Sequence, residues 1–327
     1  GRPTSTPLPK EAAMLALLVR RLLFVVPILV LVSFCVFGMV LLVPGDPAIT
    51  LAGDNATEEQ IEIIRDRLGL DDPIWVQYGR WASDAVRGDL GDSLYSGRPV
   101  TRSIAERLPV TVSLAALSVV IALAIAVPAG ILAATNRGRW LDSAATVGAS
   151  LGLAMPSFWL GLVLLLVFAL RLGWLPATGY VPLEANPTEW LRHLLLPAIT
   201  LGTAAAAETT RQLRSSLSDV LGEDYVRTAR AKGLRGRAVV FKHSLKNAAI
   251  PVITVLGFQI AFLLGGSVIV EQIFALPGLG GLAIRAVLDR DLPIIQGVVM
   301  LAAVMVISVN LVVDLLYGWL NPKVRAA

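Results

Sequence analysis

Long apolar runs separated by short polar segments set the pattern of this chain, and six of them are long enough to be read as membrane spans: 22–43, 110–134, 144–170, 194–211, 249–270 and 294–319. A 22-residue helix rises about 33 Å, enough to cross the hydrocarbon core. The expected fold is therefore an all-α polytopic membrane protein with six transmembrane helices. Its membrane domain covers 22–320, between tails at 1–21 and 321–327. Pro197 and Glu208 interrupt the fourth run. An even number of spans places both termini on one side.

The longest polar stretch, 44–108, still carries helix periodicity. Thr57 followed by Gln60 fits a capping box, Ile61, Ile64 and Leu68 recur at helical spacing, and Gly69 is placed to end that helix. After Pro73, residues Trp75, Tyr78, Trp81 and Ala82 predict a second apolar stripe that Gly88 ends. A small helical insert packed on the membrane face is expected.

Charge decides the orientation. The segment 211–248 holds nine Lys or Arg residues against three acids, whereas 44–108 holds twelve acids against seven basic residues. Short basic loops stay on the cytoplasmic side, so this segment and both termini are expected there, and 44–108 outside. With 55% hydrophobic and 16% charged residues and a mean hydropathy of +0.71, the chain is too apolar for a soluble domain. The sequence pI near 9.5 follows from the loops beside the spans and does not call for nucleic acid. Cys35 is the single cysteine, which excludes a disulfide framework and a cysteine metal site. The first run is too long for a cleaved signal peptide, and no small-residue cleavage site follows it.

Polar groups inside spans are costly, about 3 kcal/mol or more for a charge, and therefore need partners. Four such groups are intramembrane candidates: Glu208, Glu271, Asn310 and Asp314. Glu208 precedes Arg211 by one turn. Asn310 and Asp314 share a helix face that should look toward protein, and Glu271 ends the fifth span. Helix packing is the expected role for all four. Pro128, Pro156 and Pro197 should kink or loosen their helices. His193 and His243 fall on opposite sides of the membrane and form no common site. Neither GxxxxGK[ST] nor any Gly–Lys pair occurs, so P-loop hydrolysis of ATP is excluded. No catalytic residue, cofactor or metal ligand is expected in the chain. The basic stretch YVRTARAKGL at 225–234 reads instead as a docking element.

A series of motifs gives a more specific reading. PGDP at 44–47, LGLDDPIWVQY at 68–78, GDLGDSLYSGRPV at 88–100, PSFWLG at 156–161, LGWLPATG at 172–179 and PGLGGL at 277–282 occur in an order and spacing that resemble one family. That family is the inner-membrane permease subunits of ABC importers in the dipeptide, oligopeptide and nickel group, and the PGDP turn and long first outer segment resemble its B type. The resemblance implies a type I importer permease in the bacterial cytoplasmic membrane, moving peptides by alternating access. The implied partners are a homologous second permease subunit, two ABC ATPase subunits (or one fused) that hold ATP and magnesium, an extracytoplasmic substrate-binding protein, the peptide itself and membrane lipid.

It also implies that the basic segment is the ATPase-coupling loop, with Glu223, Asp224, Tyr225, Arg227, Ala229, Arg230, Ala231, Lys232 and Gly233 as its residues. Ala229 and Ala231 would let the helix lie close in a partner groove, and Gly233 would turn the chain. The family's early glutamate is replaced by Arg227, and its later proline by Lys246. Asp84, Asp89 and Asp92 are expected on the face that receives the binding protein, together with the loops 172–179 and 274–293. A nickel or other small-solute permease is the alternative within the family. An ion-coupled transporter complete in one chain is a further one, but it would want more acids at mid-membrane.

Overall fold

The computed structural model describes residues 23–38, 47–52 and 56–320. Both predicted tails, the outer end of the first predicted span and most of the PGDP turn lie outside the described residues. Helices account for nearly all of the regular structure. In chain order they are α1 (Leu23–Gly38), α2 (Pro47–Ala52), α3 (Glu58–Leu68), α4 (Ile74–Val86), α5 (Val100–Ala105), α6 (Leu108–Thr135), α7 (Trp140–Ala154), α8 (Ser157–Leu164), α9 (Pro187–Leu221), α10 (Asp224–Ala231), α11 (Gly236–Ala238), α12 (Leu245–Ile273), α13 (Leu279–Leu288) and α14 (Leu292–Leu320). Two π-helical stretches, Leu165–Arg171 and Val239–Ser244, continue α8 and precede α12.

Three of the continuous helical runs are long and apolar enough to cross a membrane: Val100–Thr135, Gly236–Ile273 and Leu292–Tyr317. The third predicted span is a correction to the single helix expected over 144–170. It is a broken pair, Trp140–Ala154 and Ser157–Arg171, bent by 98°. Pro156 lacks an N–H and forces Met155 out of the helical region, to ψ 124°, which ends α7. Pro128 and Pro197, by contrast, sit inside unbroken helices. The fourth predicted span lies within the 35 residues of α9, about 52 Å at helical rise, a helix that is not among those apolar enough along one continuous stretch to cross a membrane. Asn186 starts it by accepting from the N–H groups of Thr188 and Glu189.

The chain forms two compact units. The first comprises Val110–Leu276 and the end of α14 from Val306. Its centre is α9, packed against α6, α7, α8 and α12. Small residues let these backbones approach, as membrane helices require where burial against lipid gives no driving force. A Cβ added at Gly202 would stand 2.8 Å from the Ser118 carbonyl oxygen, and one at Gly257 would stand 2.6 Å from Val313 Cγ2. Leu114, Leu194, Leu201, Leu263 and Phe274 fill one layer, and Leu213, Leu217, Ala248 and Val252 fill another.

The second unit comprises Phe24–Pro109 and Pro277–Met305. The capping box at Thr57 and Gln60 is present, and Gly69 ends α3 at φ 61°. Arg80 seals that turn, donating to the Gly69 carbonyl at 3.3 Å and pairing with Asp72. On α4, Tyr78 meets Phe34 and Phe37 of α1 edge to face, Trp81 meets Phe37 at a tilt, and the Tyr78 hydroxyl lies 2.8 Å from Ser33 Oγ. Trp75 does not join this stripe and is 73% exposed, because α4 turns its Tyr78 and Trp81 side toward α1. The segment 274–293, expected as an outer loop, folds α13. Its Leu279, Leu282 and Ala286 pack with Val100, Ile104, Ile294 and Val298.

Candidate functional site

The basic segment 211–248 is helical apart from two turns at 222–223 and 232–235. Gly222 closes α9, Glu223 is extended at ψ 149°, and α10 begins at Asp224. Val226 and Ala229, one turn apart, form the buried side of α10, while Asp224, Arg227, Thr228, Arg230 and Ala231 are exposed. This corrects the expectation for Ala229. Its methyl faces the protein's own body, so Ala231 is the small residue left on the outer side.

The end of α10 is set by backbone geometry. The Leu234 N–H donates to the Ala229 carbonyl at 3.3 Å, and the Gly233 N–H donates to the Arg230 carbonyl at 2.9 Å. Gly233 adopts φ 79°, the left-handed conformation this paired-bond cap requires. No atom lies within 4 Å of the position its Cβ would take, so the requirement is conformational rather than steric. Lys232 is exposed beside it.

Tyr225 fastens α10 to the start of α12: its hydroxyl accepts from Asn247 Nδ2 at 2.9 Å and lies 3.5 Å from the His243 carbonyl oxygen. Arg227 pairs with Asp224 at 3.3 Å, both well exposed, a contact worth little by itself. The arrangement is a short rigid platform, anchored from behind and presenting mixed charge outward. Among the described residues no group of His, Cys, Asp and Glu could hold a metal ion.

The intramembrane candidates are not brought together. Glu208 accepts from Arg211 Nη2 at 2.7 Å, one turn away. Glu271 is 1% exposed and accepts from Thr111 and Ser267. Asp314 is half-buried on α14, whereas Asn310, expected to face protein, is exposed on this single chain. Of the acids expected outside, Asp84 lies 3.4 Å from Arg87, Asp89 Oδ1 accepts the Gly91 N–H at 2.9 Å, and the backbone of Asp92 forms an isolated antiparallel bridge opposite Pro99. All three remain exposed. Asp89 therefore also shapes its own turn.

Two buried carboxylates escaped the sequence reading. Asp142 pairs with Arg214, and Asp291 accepts from the Ser93 hydroxyl and from the Leu94 N–H at 3.2 Å. Both acids sit at helix N-termini, where acids are common for dipole reasons, so nothing local marked them as buried.

Comparison with known proteins places these features in a family. Residues 126–326 match the family described as binding-protein-dependent transport system inner membrane component, and residues 14–115 match the N-terminal region of such membrane components. A putative peptide transport system permease protein of Brucella abortus (strain 2308) is 43% identical over 312 residues, covering 95% of this chain and 99% of the relative. The glutathione transport system permease protein of Escherichia coli (strain K12) is 46% identical over the same length, with the same coverage. Among solved structures, the inward-facing MetNI methionine ABC transporter aligns with a TM-score of 0.55 at 17% identity. It covers 67% of this chain and 96% of the other, a likeness of fold. Matched by family over most of its length and by relatives along nearly all of it, the chain belongs to the binding-protein-dependent transport system inner membrane components, the non-catalytic permease subunits of ABC importers.

Proposed function

We propose that this permease translocates small peptides across the cytoplasmic membrane, with α10 as the surface that receives a separate ATPase subunit on the cytoplasmic side. The observation that carries the docking role is the orientation of α10. Its apolar side is already used by Val226 and Ala229, and Tyr225 ties it to α12, so the exposed Asp224, Arg227, Ala231 and Lys232 are free to meet a partner. Peptide as cargo is supported by relatives named for peptide and glutathione transport. The excess of basic residues around α10 supports a cytoplasmic position for it and for both termini.

In this reading ATP and magnesium bind on the ATPase partner, and this chain supplies the moving pathway. A homologous second permease subunit covers part of the surface that α12 and α14 leave open, where Phe258 and Phe262 stand exposed, and lipid covers the rest. The substrate-binding protein docks on the opposite side, where Asp84, Asp89 and Asp92 form part of an acidic outer surface. The B-type assignment rests on the PGDP turn and long first polar segment.

The test is purification of the complete transporter with and without residues 223–233, followed by uptake of labelled glutathione and of di- to pentapeptides. Loss of the ATPase subunit together with peptide uptake supports the reading. Full uptake by the deletion variant rejects α10 as the docking surface.

A further inference from the structure

The Asp142 carboxylate, on the first turn of α7, collects three N–H donors. Arg214 Nη2 of α9 donates to Oδ2 at 2.9 Å, the Gly138 N–H donates to the same oxygen at 2.9 Å, and Arg214 Nε donates to Oδ1. The side chain of Asp142 is 7% exposed. Two-pronged guanidinium–carboxylate contact fixes direction as well as distance, which a single charge contact does not.

Elsewhere α7 and α9 meet through small residues. A Cβ at Gly152 would stand 3.1 Å from Ala207 Cβ and 3.7 Å from Thr203 Cγ2, contacts without polar direction. Among the described residues the Asp142–Arg214 pair is the polar fastening between these two helices. Packed helices slide over one another by small shear displacements, and such a pair sets their register.

Its place in the fold gives that register a consequence. Arg214 lies two turns before the end of α9 at Leu221, and α10 follows after Gly222 and Glu223. Two residues after Arg214, Ser216 Oγ donates to the Ala248 carbonyl of α12 at 2.9 Å. At its other end α7 stops at the 98° break beside Pro156. Thus α7 is fixed to α9 two turns before α10, and its other end is the bend at Met155.

We infer that Arg214 and Asp142 are positioning residues for transport: they carry displacement of α10 through α9 into α7, so that ATP hydrolysis moves the pathway. The inference rests on α10 being the ATPase-docking helix. An ion pair that only stabilises the fold would be equally buried, and energy per turnover separates the two roles.

The experiment uses the complete transporter in proteoliposomes with Asp142→Asn, Arg214→Ala and Arg214→Lys. It measures labelled glutathione or trialanine moved per ATP hydrolysed, and the stimulation of hydrolysis by the cognate binding protein, which needs no knowledge of the cargo. Asp142→Asn and Arg214→Ala should lower both ratios roughly threefold or more, a change of the size that coupling mutations produce. The ATPase subunit should stay bound and continue to hydrolyse ATP. Arg214→Lys, which keeps charge but loses the fork, should fall between wild type and Arg214→Ala. Unchanged ratios overturn the inference, and so does a parallel fall of hydrolysis, uptake and melting temperature, which marks a purely structural pair. Loss of the ATPase subunit only when 223–233 is deleted belongs to the docking reading, so the two can fail separately.

Discussion

Thr111 of α6 donates its hydroxyl to Glu271 Oε1 of α12 at 2.8 Å, across 160 residues of sequence. Ser267, one turn earlier on α12, donates to the same oxygen at 3.1 Å. A carboxyl group this deeply buried is tolerated because polar neighbours replace water, and removing one of them leaves part of its desolvation uncompensated. Thr111→Val should therefore lower stability by about 1–3 kcal/mol. Thr111→Ser, which keeps the hydroxyl, should cost less. Thermal unfolding of the detergent-purified protein reads the difference, and equal midpoints for wild type and Thr111→Val would reject a stabilising role for the contact.

Two glycine contacts of similar closeness should respond differently to a second mutation. At Gly257 the obstacle is the Val313 side chain, so Gly257→Ala should destabilise by about 1–3 kcal/mol and Val313→Ala should restore much of the loss. At Gly202 the obstacle is the Ser118 backbone carbonyl, which no side-chain substitution removes. Melting temperatures for the singles and for the Gly257→Ala/Val313→Ala double variant check this. Additive losses in the double variant would contradict the packing.

Gly233 separates conformational from steric cost. Alanine meets no atom there but must adopt φ 79°, at a cost of about 1–2 kcal/mol confined to the end of α10. Proline cannot adopt that φ and removes the N–H that bonds to Arg230. The expected order of ATPase-subunit retention on the affinity-purified complex is wild type, Gly233→Ala, Gly233→Pro. Full retention and peptide uptake by Gly233→Pro would mean that the turn does not position the docking helix.

The two alanines of α10 should part company in the same assay. Ala229→Leu crowds a buried position and should lower melting temperature and docking together. Ala231→Trp lies on the exposed side and should weaken ATPase association while leaving melting unchanged. The reverse pattern would place the partner on the other side of the helix.

Charge reversal at Asp84 and Asp92 tests the outer surface. Binding-protein-stimulated hydrolysis should fall while basal hydrolysis holds. The deficit should shrink as salt rises, because exposed charges are screened over about 8 Å at physiological ionic strength. Asp89→Lys should in addition loosen the turn at Gly91, since the native carboxylate accepts that N–H. Stimulation that stays at the wild-type level for all three would remove these acids from the docking surface.

Much of the molecule was legible in the chain because the signals are local. Apolar runs predict helices where water is excluded, Thr57 with Gln60 predicts a helix start, and Gly69 and Gly233 predict left-handed ends. Glu208 and Arg211 found each other because they lie one turn apart. The absence of a phosphate-binding loop and the ordered motifs from PGDP to PGLGGL were likewise readable without coordinates.

Only tertiary packing decided which side of each helix is used. Ala229 and Ala231 are identical in sequence terms, yet α10 turns one inward beside Val226 and the other outward. Trp75 shares a helix with Tyr78 and Trp81 but points away from α1. Pro156 breaks its span while Pro128 and Pro197 do not, although a proline by itself carries no such distinction. Asp142 met Arg214 across 72 residues and Asp291 met Ser93 across 198, pairings that depend on where the helices come to lie. Periodicity fixes which residues share a helix face within one turn of each other. Which face is buried, and what it meets, is settled by the packing of distant helices against it.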